Sequence, residues 1–132
     1  MNIGIVAKRA GIAAKTIRYY EQEGLIPNPP RNLSGYRQYN ESDVQILKFI
    51  ERARSLGFPI SDVSKLLGLW SNKKRKSADV KKLAQRHIED INSKIHELQS
   101  MRGTLNNLVR KCTGDDRPNC PILEGLEKSK KC

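Results

Sequence analysis

The strongest constraint in this chain is a row of apolar residues over 77–111: Val80, Ala84, Ile88, Ile91, Ile95, Leu98, Met101, Leu105 and Leu108, mostly three or four positions apart. That period puts them on one stripe of a single helix, as a coiled-coil seam requires. The spacing predicts a helix over 77–111, roughly 50 Å long at 1.5 Å of rise per residue. Such a rod cannot bury its stripe against the small remainder of a 132-residue chain. A second copy must cover it, so the sequence predicts a homodimer. His87 falls beside the seam and His96 on the helix surface, both read as structural residues.

Shorter elements precede the rod. Ile3, Val6, Ala7 and Ala10 share a helical face that Gly11 ends, and a second short helix over about 14–23 turns Ile17 and Tyr20 inward and stops at Gly24. Two short helices joined by a tight glycine-containing turn form a helix-turn-helix pattern. Pro27, Pro29 and Pro30 then forbid helix. Residues 31–39 read as a turn at Ser34-Gly35 followed by a short strand, which makes a wing. Asn40 caps a third helix with Asp43 in the capping-box position, and Val44, Leu47, Ile50 and Ala53 carry it to Gly57. After Pro59, Ser61 is expected to cap a fourth helix through Val63, Leu66, Leu67 and Trp70. The fold class is therefore mainly α: a winged helix-turn-helix domain over 1–70, a basic linker over 71–76, a dimerisation helix over 77–111, and a loop with a short final helix over 112–132. Pro121 suits the first position of that last helix, Ile122–Leu126, and Lys128–Cys132 read as a frayed end.

Charge says what the first half meets. Of 25 basic residues 14 fall within 1–76, against only 6 of the 14 acidic ones, and the chain as a whole carries +11. A localised excess of this kind suits a polyanion. The second helix presents Lys15, Thr16, Arg18 and Tyr19, with Tyr20 counted beside them; the wing adds Arg31, Tyr36, Arg37 and Tyr39, and the third helix adds Arg54. Lysine and arginine neutralise phosphates or read guanine edges, and tyrosine hydroxyls bond phosphates. Lys8, Arg9 and Lys48 read as solvated surface. No apolar run approaches the roughly 18 residues that span a bilayer, and the N-terminus lacks a signal-peptide pattern. The expectation is a cytoplasmic protein with no membrane partner.

Ile17-Arg18-Tyr19-Tyr20-Glu21, Gly24-Leu25-Ile26, Gly35-Tyr36-Arg37-Gln38-Tyr39 and Ala53-Arg54-Ser55-Leu56-Gly57-Phe58 together resemble the signature of the MerR family of transcriptional regulators. The resemblance implies winged-helix dimers joined by an antiparallel two-helix coiled coil. It also implies binding to an inverted repeat in promoters whose −35 and −10 elements lie too far apart, and activation by distorting that DNA so that RNA polymerase engages both.

The sensing chemistry lies in the tail. Cys112 and Cys120 bracket the loop Thr-Gly-Asp-Asp-Arg-Pro-Asn, with Cys132 at the end. Two thiolates are too few for structural zinc, which takes four ligands. A pair of soft sulfurs suits a soft d10 ion content with two ligands: Cu(I), with Ag(I) or Au(I) as alternatives, one per chain as a bis-thiolate. A helix opening at Pro121 would aim its positive end at the resulting net negative charge. Asp115 and Asp116 read as turn formers, since a soft site does not recruit hard oxygens. A disulfide between the two cysteines stays open, which would make the chain a thiol-based redox-responsive regulator instead. An iron–sulfur cluster normally needs four cysteines, a drug sensor needs a larger C-terminal domain, and a thiol enzyme needs a histidine near the cysteines that this sequence does not place there. The loop also resembles the copper-responsive branch of the MerR family, in which the paired cysteines hold the metal. That branch carries serine at the start of the dimerisation helix, where Ser77 stands, while branches for divalent ions carry a third cysteine. Pro118 and Cys132 depart from the branch pattern, the first as a tuner of copper against gold and the second as an incidental tail thiol, with a third-ligand role as the alternative.

Overall fold

The computed structural model describes residues 1–127. Cys132 and the frayed end expected over Lys128–Cys132 lie outside the described residues. The helices are α1 (Ile3–Ala10), α2 (Ala14–Gln22), α3 (Glu41–Ser55), α4 (Ile60–Ser71), α5 (Ser77–Lys111) and α6 (Pro121–Glu127). No helix is long and apolar enough to cross a membrane among the described residues.

The chain forms two compact units, Met1–Leu83 and the part from Ala84 onward. In the first, α1 packs on α2 and α3, and α3 on α4. Asn2 caps α1 by accepting from the Ile5 amide at 2.9 Å, and Gly11 closes it at φ 72°, a backbone region that costs glycine nothing. Asn40 and Asp43 form the reciprocal capping box of α3 at 2.9 and 3.0 Å. Val6, Ile17, Val44, Leu47, Ile50 and Val63 are fully buried, each stabilising the fold by roughly 1.5–3 kcal/mol. Removing one of them, as in Ile17→Ala, costs about 2–5 kcal/mol. This unit reaches beyond residue 70 because Leu83, two turns into α5, joins the same core.

Two expectations need correction here. Pro59, not Ser61, sits at the N-cap of α4: its extended backbone turns the chain straight into helix at Ile60, without a side-chain cap. The wing is not a stranded hairpin. It closes on one antiparallel backbone pair, Arg31 with Arg37, and its tip is held by the Asn32 side chain, which accepts from the Ser34 and Tyr36 amides at 3.0 Å. On α4, Trp70 stays 43% exposed with its ring stacked on Phe49, centroids 4.3 Å apart.

In the second unit, α5 leaves Ile88, Ile91, Ile95, Leu98, Met101, Leu105 and Val109 in water. The stripe ends on Val109. Leu108, the last seam position expected, instead meets Gly125 of α6.

Candidate DNA interface and metal loop

Arg18 is exposed on α2, one turn after Lys15, while its neighbour Ile17 is buried. The wing brings Arg31, Tyr36 and Arg37 to it: the four line one concavity of about 110 Å³. Three arginines and a tyrosine gathered at one place on the surface suit contact with a phosphate backbone. Lys15, Tyr19 and Arg54 are exposed, and Thr16 is half-buried. Arg31 and Arg54 each give one donor to the fold itself, to the Gly35 carbonyl at 2.8 Å and the Phe58 carbonyl at 3.0 Å.

Tyr20 and Tyr39 do not belong on this surface. Both are 4% exposed and lie in the core. The reason is periodicity: Tyr20 follows Ile17 by three positions on the inward face of α2. Burial and the nearby Glu51 charge push the Tyr20 hydroxyl above its ordinary pKa. Burial, and then the hydrogen bond to Glu21, push the Tyr39 hydroxyl far higher.

The residue that sequence reasoning missed is Glu21. Its carboxylate is 3% exposed, accepts from the Tyr39 hydroxyl, and lies 3.2 Å from Nε of Arg37. A glutamate placed three positions after an outward arginine looks like solvated surface. The signal was its place directly after Tyr20, on the inward side of the helix. Among the described residues, no buried side-chain nitrogen or oxygen lacks a partner.

The loop belongs to the second unit. Cys112 follows α5 directly and its amide donates to the Val109 carbonyl at 3.1 Å; Cys120 precedes α6, and its carbonyl accepts from the Glu124 amide at 3.0 Å, the first helical bond. Both thiols are free and half-buried. Between them Gly114 adopts φ 70°. Asp115 accepts from the Arg117 amide at 2.9 Å and pairs with its guanidinium at 2.6 Å. The Arg117 hydrogen bonds hold the Asp115 carboxyl below the usual carboxylate range, so this aspartate is committed to shaping the turn. Downstream, α6 lies against the last turns of α5 around a groove of about 490 Å³ that includes Leu108, Lys111, Pro121 and Leu126. The two flanks of the loop thus meet, four residues before Cys112 and five after Cys120. Ser77 is exposed at the head of α5 and belongs to the first unit, whereas the cysteines belong to the second.

Two family models match the chain: "MerR HTH family regulatory protein" over residues 1–69 and "MerR, DNA binding" over residues 44–108. A heavy metal-dependent transcription regulator of Rhizobium meliloti is 48% identical over 96% of this chain and 86% of its own length. The HTH-type transcriptional regulator CueR of Salmonella typhimurium is 41% identical over 96% of this chain and 91% of its own. Among solved structures, the transcription regulator PbrR691 of Ralstonia metallidurans in complex with lead(II) is 33% identical. It superposes with a TM-score of 0.83, covering 96% of this chain and 98% of that one.

Proposed function

The chain belongs to the MerR family of helix-turn-helix regulatory proteins, and from that premise we propose that it is a Cu(I)-responsive transcriptional activator of metal efflux and detoxification genes. It has no enzymatic role. It binds promoter DNA as a homodimer through α2 and the wing. The bare stripe of α5 is the surface that the second copy covers.

The observation that carries the metal reading is the pair of half-buried thiols at the two ends of one loop whose flanks pack together. Cys112 and Cys120 fit a soft monovalent ion: each supplies one sulfur, and the Asp115 carboxylate is already held by Arg117. Ser77 stands where a third thiol would favour a divalent ion. The metal-dependent relatives support metal sensing in general, and the two-sulfur loop with its resemblance to the copper-responsive branch points to copper. Ag(I) and Au(I) have the same two-sulfur preference. Binding orders the loop and fixes α6 on α5, which biases the dimer toward a conformation that distorts an over-long promoter spacer and lets RNA polymerase engage it. Apo and loaded dimers both hold the operator.

The test is an anaerobic Cu(I) titration of the reduced protein against a strong competing chelator, with sulfur X-ray absorption, beside the Cys112→Ser, Cys120→Ser double variant. One Cu(I) per chain on two sulfurs, lost in the variant, is the expected result. Absence of binding, or binding that survives the variant, overturns the metal reading. A mass loss of two hydrogens on oxidation would then favour the disulfide switch.

A further inference from the structure

The wing has no sheet to hold it. One backbone pair closes it, and a single pair does not fix the angle of a hairpin against the helix beside it. What joins the wing to α2 is a buried carboxylate. Glu21 receives the Tyr39 hydroxyl on one oxygen and has Nε of Arg37 3.2 Å from the other. Both partners lie on the return arm of the wing, two residues apart. Arg37 keeps 29% of its side chain exposed and lines the same hollow as Arg18, which sits one turn before Glu21 on α2. One helix therefore carries both an outward cation and the inward anion that holds the second cation next to it.

We propose that Glu21 is the positioning residue of the DNA interface: by gripping Tyr39 and Arg37 it sets the wing against α2 and presents the Arg37 guanidinium to an operator phosphate. The inference rests on the DNA-binding reading above. It has an unusual sign. Removing an anion beside a DNA-binding surface should tighten binding by simple electrostatics. If the carboxylate positions Arg37, removing its charge weakens binding instead. A charge-assisted hydrogen bond is stronger than a neutral one and gives a fixed direction, which a neutral amide in its place does not supply.

The experiment uses the full chain and a labelled duplex that the wild-type protein selects from a random pool. Glu21→Gln keeps the shape and drops the charge; Tyr39→Phe keeps the charge and drops one bond. The expected result is about tenfold weaker binding for Glu21→Gln, a smaller loss for Tyr39→Phe, and a shallower salt dependence, by about one unit of log–log slope for each phosphate that a chain no longer neutralises. In an Arg37→Gln background, Glu21→Gln should leave the slope unchanged and cost no more affinity than Tyr39→Phe does. Unchanged or tighter binding by Glu21→Gln overturns the proposal, as does an equal loss in the Arg37→Gln background, which would mark a purely structural role. If Glu21→Gln does not fold, Tyr39→Phe decides through the same salt slope. A wild-type protein that selects no duplex overturns the DNA-binding reading itself, and a variant that fails on a selected duplex leaves that reading standing.

Discussion

Gly125 of α6 and Leu108 of α5 meet so closely that a Cβ on the glycine would collide with Cδ2 of the leucine and stand 3.1 Å from Cδ1. This close approach of α6 to α5 uses the missing side chain of residue 125. Gly125→Ala sets two effects against each other: about 1 kcal/mol gained in helix propensity, and an overpacking cost of about 1–3 kcal/mol. The Leu108 Cδ2 methyl must move, and Cδ1 and Cγ at 3.1 and 3.3 Å leave it little room to do so, so the second effect is expected to win. Amide exchange over Ile122–Leu126 should speed up in Gly125→Ala and return toward wild type in Gly125→Ala, Leu108→Ala. No recovery in the double variant would mean that this packing does not hold α6.

Ser77→Cys tests the choice of ion. Under the proposed function it supplies a third thiol and shifts preference toward divalent soft ions. Competition between Cu(I) and Hg(II) should move toward Hg(II) in Ser77→Cys and stay put in Ser77→Ala. Equal behaviour of the two variants would remove Ser77 from the site.

Asn40→Ala removes half of the α3 capping box and leaves the Asp43 amide without its acceptor. The expected loss is about 1 kcal/mol, seen as a midpoint lowered by roughly 4–8 °C in thermal melting if the first unit melts as a domain of its size. Metal binding should be untouched, because the cysteines belong to the other unit. A melting point that does not move would show that the cap contributes nothing.

The Arg9–Glu41 pair links α1 to the start of α3, with the second guanidinium nitrogen 2.7 Å from the carboxylate. The hydrogen bond from Arg9 lowers the Glu41 pKa below 4.5. A depressed carboxyl stabilises the fold above its unfolded value, and that contribution fades as pH falls through the folded one. Carbon-detected NMR titration should give Glu41 a midpoint below 4.5 that returns to about that value in Arg9→Ala. Both groups are exposed, so the midpoint and not the melting temperature is the sensitive readout.

The helices were legible because each carries its own punctuation. Gly11 stands after α1, the Asn40–Asp43 box opens α3, Pro121 opens α6, and a three-four apolar rhythm fills α5. The cations of the DNA surface were legible singly, as basic residues on the side of α2 opposite Ile17. What escaped was the interior polar contact. Tyr39 and Glu21 are 18 positions apart, and no local rhythm says that a hydroxyl and a carboxylate will meet under the wing. The same blindness put Tyr39 on the surface by residue type, and Tyr20 was counted among the DNA contacts although its spacing from Ile17 already turned it inward. Trp70 shows the reverse: its spacing fits the inward face of α4, yet the ring finds Phe49 and stays at the boundary with water.

The uncovered row along α5 ties this protein's persistence to its abundance. Seven large apolar side chains, each left between a third and two thirds exposed, make the solitary chain the species with most to gain from association. Under mass action its stability then rises with the logarithm of its own concentration. A cell holding few copies would hold a shorter-lived pool, with the bare row offered to proteases and chaperones. The level at which that row is covered sets a lower bound on how sparingly such a regulator can be expressed.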